Sequence, residues 1–410
     1  MPFPLSALSA RARSTGGRLV RRLGLLPGGE PDGLGEDARL GGVVLEQRVV
    51  AFFPEPARNA YQLEQWLAPL QRLDERHGVA LVTQDSRTSA RLRAQTSLPV
   101  LCVARTATLD GLVQRSSIAL ALYVSHHPRN FQMLRFPSMA HVYVGHGESD
   151  KAVSASNQLK AYDRSFVAGQ AAEDRVLREL MWFDRERMVR IGRPQAAAPS
   201  PRPLPDRPTV LYAPTWEGAQ PSMAYSSVLT HGAALVRSLM AAGLRVVYRP
   251  HPRTGANRGD VAAADAALRA LFGDDAARRS GSVVETATPL ATAVDGADLL
   301  ITDVSSLAVE WLPTGRPLVV TVPADPEAVV GSSPLLDAVP RLTAADAAAA
   351  GEVALRCLRE DPERSQRASL VEYYLGGVDA EGAVGLFLDA CDDLVRARDA
   401  AQERQARAPR

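Results

Sequence analysis

The chain alternates short, wholly apolar runs with stretches whose apolar residues recur every three or four positions, and it does so in two successive series. The first series is "RVVAFF" (48–53), "VALVTQ" (79–84), "PVLCVA" (99–104), "IALALYV" (118–124), "AHVYVG" (140–145) and "RSFVAG" (164–169). Between the first two runs, Leu63, Trp66, Leu67, Leu70 and Leu73 share one helical face, and the pattern stops at Gly78. The second series is "TVLYAPTWEG" (209–218), "LRVVYRPHP" (244–252), "SVVET" (282–286), "DLLITDVSS" (298–306) and "PLVVTVP" (317–323), with helices expected over 228–242 and 260–272. Strands that are apolar throughout belong in parallel sheets covered by helices on both faces, and strand–helix alternation builds such sheets. The two series are separated by "GRPQAAAPSPRPLPDRP" (192–208), whose six prolines and lack of apolar period read as a linker. The expected fold is therefore α/β, with two Rossmann-like domains facing a cleft. The boundaries read as a basic, loop-like segment over 1–42, an N-terminal domain over 43–191, the linker, a C-terminal domain over 209–343 and a helical tail over 344–410.

At 410 residues the chain exceeds one ordinary core, in keeping with two domains. Its 47 basic and 46 acidic residues leave a formal charge of +1, so no global field attracts nucleic acid and any anion must be held locally. Cys102, Cys357 and Cys391 are too few and too scattered for a disulfide framework or a thiolate metal site, which fits a reducing cytoplasm. No run approaches the roughly 18 apolar residues of a membrane span. The first 28 residues carry Arg11, Arg13, Arg18, Arg21 and Arg22 without a long apolar stretch. They read as a basic tail rather than a secretory signal, with a membrane-surface helix as the alternative.

Ligands of open α/β sheets sit beyond the carboxyl ends of the strands, and four polar clusters occupy that position. In "GHGESDK" (145–151), Gly145 and Gly147 flank His146, which on a tight turn could act as general base, with Glu148 and Asp150 near enough in sequence to orient its ring. Lys151 is one of only two lysines in the chain, the other being Lys160. In "APTWEG" (213–218), Thr215 could donate to a phosphate; a plain strand end is the alternative. In "YRPHP" (248–252), Arg249 and His251 lie two apart on an extended segment and can address one anion. In "TDVSSLAVEW" (302–311), Asp303 ends a strand and Ser305 and Ser306 open a helix, either as caps or as a phosphate seat, with Glu310 one turn further in. There is no P-loop, GxGxxG, HExxH or GxSxG, which removes support for the common nucleoside triphosphatase, dehydrogenase, zinc protease and serine hydrolase readings.

Taken together, "HGESDK", "APTWEG", "RPHP" and "TDVSS" with Glu310 resemble the CDP-glycerol glycerophosphotransferase family over roughly residues 140–323. The resemblance implies a GT-B-like fold that transfers a polyol phosphate, in the first place glycerol phosphate, from a CDP-linked donor to a hydroxyl on a cell-wall or surface glycopolymer, releasing CMP. It further implies His146 as base, Arg249 and His251 on the diphosphate, Ser305 and Ser306 on phosphate and Glu310 near the ribose. No protein-bound metal site is expected, and Mg2+ is the one cofactor left open. The expected partners are a CDP-alcohol and a lipid-linked or glycan acceptor, not nucleic acid, and the expected location is cytoplasmic or peripheral on the inner membrane face. The segment after His146 departs from the family's Gly-Thr-Pro type sequence, and position 310 is Glu where the family usually has Asp. A GT-B glycosyltransferase or nucleotide-sugar epimerase would use the same architecture, and a nucleotide-binding partner subunit is the non-enzymatic alternative.

Overall fold

A computed structural model describes residues 35–148, 156–195, 203–330 and 333–407. Two parallel sheets carry the fold. The first has seven strands: β1 (Val49–Phe53), β2 (Val79–Thr83), β3 (Val100–Cys102), β4 (Leu120–Tyr123), β5 (Ala140–Tyr143), β6 (Arg164–Val167) and β7 (Met188–Arg190), in the order β3-β2-β1-β4-β5-β6-β7. The second has six: β8 (Thr209–Ala213), β9 (Arg245–Tyr248), β10 (Val283–Val284), β11 (Leu299–Thr302), β12 (Leu318–Thr321) and β13 (Arg341–Leu342), in the order β10-β9-β8-β11-β12-β13. In both, a central strand pairs with one strand later in its first βαβ unit and with one that follows a longer excursion, so the order reverses there. Such a switch point opens a crevice at the carboxyl edge.

The apolar runs give the strands because each can bury both faces: β1, β2 and β8 are buried at every position. In the first sheet Val50, Phe52, Ala80, Val82 and Ala121 pack with Leu109 and Leu112 of the helix Thr106–Arg115. In the second, Val210, Tyr212, Val246 and Ile301 pack with Leu235 and Leu239 of the helix Gly232–Ala241. Each such fully buried side chain is worth about 1.5–3 kcal/mol. The expected helix over Leu63–Leu73 divides into Tyr61–Glu64 and Leu67–His77. Strands β7 and β13, not expected from sequence, are three and two residues long, too short to stand out as apolar runs.

The chain forms two compact units. The first takes in residues up to His146, Ala161–Ser165 and the C-terminal residues from Leu388; the second takes in Gly147–Lys160 and Phe166–Phe387. Within the first unit the end of the long helix Ala380–Arg407 is held by charge. Asp392 accepts from Arg76 and contacts His77, each at 2.6 Å, and Asp399 accepts from Arg48 at 2.6 Å. Within the second unit, Gly169 precedes the helix Gln170–Glu179, and a Cβ there would lie 2.7 Å from the backbone of Tyr373 and Tyr374. Only glycine allows that approach. Among the described residues, no helix is long and apolar enough to cross a membrane.

A buried carboxylate fixes the functional edge of the second sheet. Asp303, at the exit of β11, is 0% exposed. One oxygen accepts from the backbone N–H of Thr215, beyond β8, at 2.7 Å and from that of Ser227 at 3.3 Å; the other accepts from the hydroxyl of Thr321 on β12. The three strands are neighbours, so one side chain ties their carboxyl ends together. Loss of water nonetheless outweighs these donors, and burial pushes the Asp303 carboxyl up to about 6. The sign follows: a carboxyl raised above its unfolded value favours folding when protonated, and that contribution is lost as pH rises through about 6. Asp303→Asn lacks the titration. Relative to this variant, the wild type should therefore lose on the order of 3 kcal/mol between pH 4 and pH 7.5. Urea unfolding of both proteins across that range checks this, and a pH-independent difference contradicts it.

Candidate functional site

His146 lies three residues beyond β5, and its geometry sets its protonation. Nδ1 is 2.9 Å from the carbonyl oxygen of Val124, beyond β4. A carbonyl can only accept, so Nδ1 carries the proton and Nε2 is the basic nitrogen of the neutral ring. The Tyr61 ring meets the imidazole edge-on at 6.3 Å, and Trp66 Nε1 donates to the carbonyl of Gly145 at 2.6 Å. Gly145 adopts φ +64°, the left-handed conformation that glycine enters without penalty. The turn is thus held from both sides, and it was legible as a glycine-flanked histidine. The Val124 carbonyl orients the ring through Nδ1. The Glu148 carboxylate instead accepts from Arg175 at 2.6 Å and from the backbone N–H of Ala168 at 3.4 Å. Asp150 and Lys151 lie outside the described residues.

His251 has the opposite polarity. Its Nδ1 accepts from the backbone N–H of Arg253 at 3.1 Å, so the ring proton resides on Nε2 and that nitrogen is a donor. The prolines at 250 and 252 keep this segment extended beyond β9. Arg249, two residues before, gives Nη2 to the carbonyl of Thr288 at 2.8 Å, while Nη1 is buried with no protein partner among the described residues. Burial pushes the Arg249 guanidinium below its ordinary value, an effect that the nearby Glu285 carboxylate only partly offsets. The loop after His251 is clamped by Glu217, which accepts from the backbone N–H groups of Gly255, Asn257 and Arg258 at 2.9, 2.7 and 3.3 Å. Arg253 lies 3.8 Å over the Trp216 ring, which also faces His251 at 6.4 Å. Trp216 therefore packs the site's own cation–π stack.

At the exit of β11 the two serines part company. Thr302 gives its hydroxyl proton to the carbonyl of Ala213 at 2.7 Å, so in the 3.1 Å contact between Thr302 and Ser305 the serine donates. That hydroxyl is spent. Neither serine caps the helix Ser306–Trp311: Ser305 is the N-cap residue and makes no side-chain capping bond. The first-turn N–H groups and the hydroxyl of Ser306 are the donors this corner offers. Gly147 is pressed against it, since a Cβ at Gly147 would sit 3.0 Å from Ser306 Cβ and 3.5 Å from Glu310 Oε1. The Asp303 carboxylate faces inward, accepting from the backbone N–H of Thr215 and the hydroxyl of Thr321, and Thr215 is itself buried.

Glu310 was expected beside a ribose and is found in an ion pair. Its Oε1 accepts from Arg193 at 2.7 Å, and Arg193 is buried. Arg193 was missed because it opens the proline-rich stretch that read as linker, and β7 just before it is too short to mark a strand end. Among the described residues, no cluster of three or more His, Cys, Asp or Glu side chains is arranged to hold a metal ion.

Residues 144–326 match the family described as CDP-Glycerol:Poly(glycerophosphate) glycerophosphotransferase. That segment, rather less than half of the chain, is similar to the family. By its description the family moves glycerophosphate from CDP-glycerol to poly(glycerophosphate), and the chain is accordingly an enzyme of the glycerophosphotransferase class. No curated protein matches the sequence. Among solved structures, the wall teichoic acid polymerase TagF is similar at 12% identity and a TM-score of 0.57, over 97% of this chain and 99% of that one. A glycosyltransferase from Rickettsia africae is similar at 9% identity and a TM-score of 0.51, over 86% and 99%. Anabaena Alr3699/HepE, solved with UDP-glucose, is similar at 10% identity and a TM-score of 0.52, over 84% and 99%. These likenesses establish the fold, which is GT-B-like.

The Arg193–Glu310 pair carries a prediction. Removing the guanidinium alone leaves a half-buried carboxylate, so Arg193→Met should cost about 1–3 kcal/mol. Arg193→Met combined with Glu310→Leu should recover part of that loss, with a coupling of about 1 kcal/mol or more in a thermal-unfolding cycle. Simple additivity of the two losses would show that the pair does not act as a unit.

Proposed function

We propose that the chain transfers a polyol phosphate, glycerol phosphate in the first place, from a CDP-linked donor to a terminal hydroxyl of a surface glycopolymer, releasing CMP. The observation that carries this is the opposite tautomers of two imidazoles: in His146 the ring proton is on Nδ1 and Nε2 is basic, and in His251 it is on Nε2, two residues from Arg249, whose Nη1 is buried with no protein partner among the described residues. One is suited to take a proton and the other to hold an oxyanion.

In this reading the acceptor hydroxyl gives its proton to His146 Nε2 as its oxygen bonds to the β-phosphorus. The bond from that phosphorus to the bridging oxygen breaks, and the electron pair leaves with CMP. Arg249 and His251 stabilise the negative charge on the departing phosphate, helped by the hydroxyl of Ser306 and the N–H groups beside it. His146 then returns its proton to solvent. Residues 43–191 serve the acceptor and 209–343 the nucleotide. The enzyme works in the cytoplasm against an acceptor at the inner membrane face, where the arginines of residues 11–22 would favour anionic lipid.

His146→Ala should lower kcat with CDP-glycerol by roughly 10²–10⁴ while leaving the thermal shift produced by CMP unchanged. His251→Ala should reduce that CMP shift. Full turnover by the His146 variant would refute the assignment of the base. Stabilisation by UDP-sugars but not by CDP-glycerol or CMP would reassign the donor.

A further inference from the structure

The amino edge of the second sheet, away from every motif discussed so far, carries a groove of about 590 Å³. Arg207 precedes β8, Arg237 lies on the helix before β9, and Arg279 on the helix Asp275–Ser280 before β10; all three line the groove, over a floor that includes Met240 and Leu271. Asp274 is the one acid in its lining.

These three guanidiniums differ from their neighbours. Arg278 pairs with Asp275 and Arg269 pairs with Asp265, both at ordinary ion-pair distance. Among the described residues Arg207, Arg237 and Arg279 have no acidic partner, and Arg207 Nη1 donates to the backbone carbonyl of Arg279 at 3.1 Å. In a chain whose formal charge is only +1, three unneutralised arginines around one concavity repel one another unless an anion joins them.

We propose that this groove holds a stretch of phosphodiester polymer, the growing product of the transfer assigned above, on which reading the inference rests. Phosphates spaced along a flexible chain suit several separated guanidiniums, and the intervening glycerol carbons suit an apolar floor. A bilayer surface is a poorer fit because Met240 is buried at the floor of a concavity rather than standing out to insert. Strands β8 and β9 are four to five residues long, so the groove and the motif-bearing edge lie roughly 15 Å apart along the strands. Only a chain of several repeats reaches both edges. The groove therefore acts on long acceptors and is silent toward a single-unit acceptor.

The test replaces Arg207, Arg237 and Arg279 together by Gln, substitutions at exposed positions outside the catalytic machinery. Binding of soluble oligo(glycerol phosphate) is measured without donor, by titration at low and high salt. The triple variant should bind the oligomer roughly tenfold or more weakly, with a shallower salt dependence. It should turn over a single-unit acceptor at the wild-type rate and make shorter products from a long one. Unchanged oligomer affinity overturns the proposal. So does weakened flotation on phosphatidylglycerol vesicles with unchanged oligomer binding, which would assign the groove to a lipid headgroup. Absence of any turnover from CDP-glycerol would instead strike the functional reading, and the binding titration still decides the groove.

Discussion

The working edge of the second unit depends on a carboxylate that has no access to water. Asp303 joins the exits of β8, β11 and β12 through Thr215, Ser227 and Thr321, and the loops carrying Trp216, Glu217, Ser305 and Ser306 all leave from those exits. A strand end is where a parallel sheet runs out of backbone partners, and loops leaving three neighbouring strands would otherwise be free to splay. The fold gives up solvation of one acid to fix them. That the acid is pushed up to about 6 measures the cost of the arrangement.

From this anchored edge the chemistry follows by proton bookkeeping. A carbonyl at Val124 and a backbone N–H at Arg253 fix two histidines in opposite tautomers. Glu148, Glu217 and Glu310, acids in or beside three of the four motifs, are all occupied in holding loops or arginines.

Most of the fold was legible because the strands are buried on both faces, which writes them as unbroken apolar runs bounded by Gly and Pro. What was not legible was short or tertiary: β7 and β13 are too brief to carry a pattern, and the helix around Leu63–Leu73 breaks near Trp66, whose indole is called to the carbonyl of Gly145. The site divides in the same way. That His146, His251, Arg249 and Ser306 stand just beyond strand ends was readable from their place after apolar runs. The roles of Glu148, Asp303, Ser305 and Glu310 were not, because each is decided by a partner distant in sequence: Arg175, Thr215, Thr302 and its bond to Ala213, and Arg193. Sequence position reports which residues stand at the sheet edge; it does not report which of them the fold has already used.

The account stands on the two tautomers, and side-chain ¹⁵N NMR of the histidines reads them directly. At neutral pH, in protein without donor, the resonances of His146 should show the proton on Nδ1 and those of His251 the proton on Nε2, each assigned by loss of signal in the corresponding histidine variant. A proton on Nε2 of His146 would leave that nitrogen unable to accept the hydroxyl proton and would contradict the mechanism at its first step.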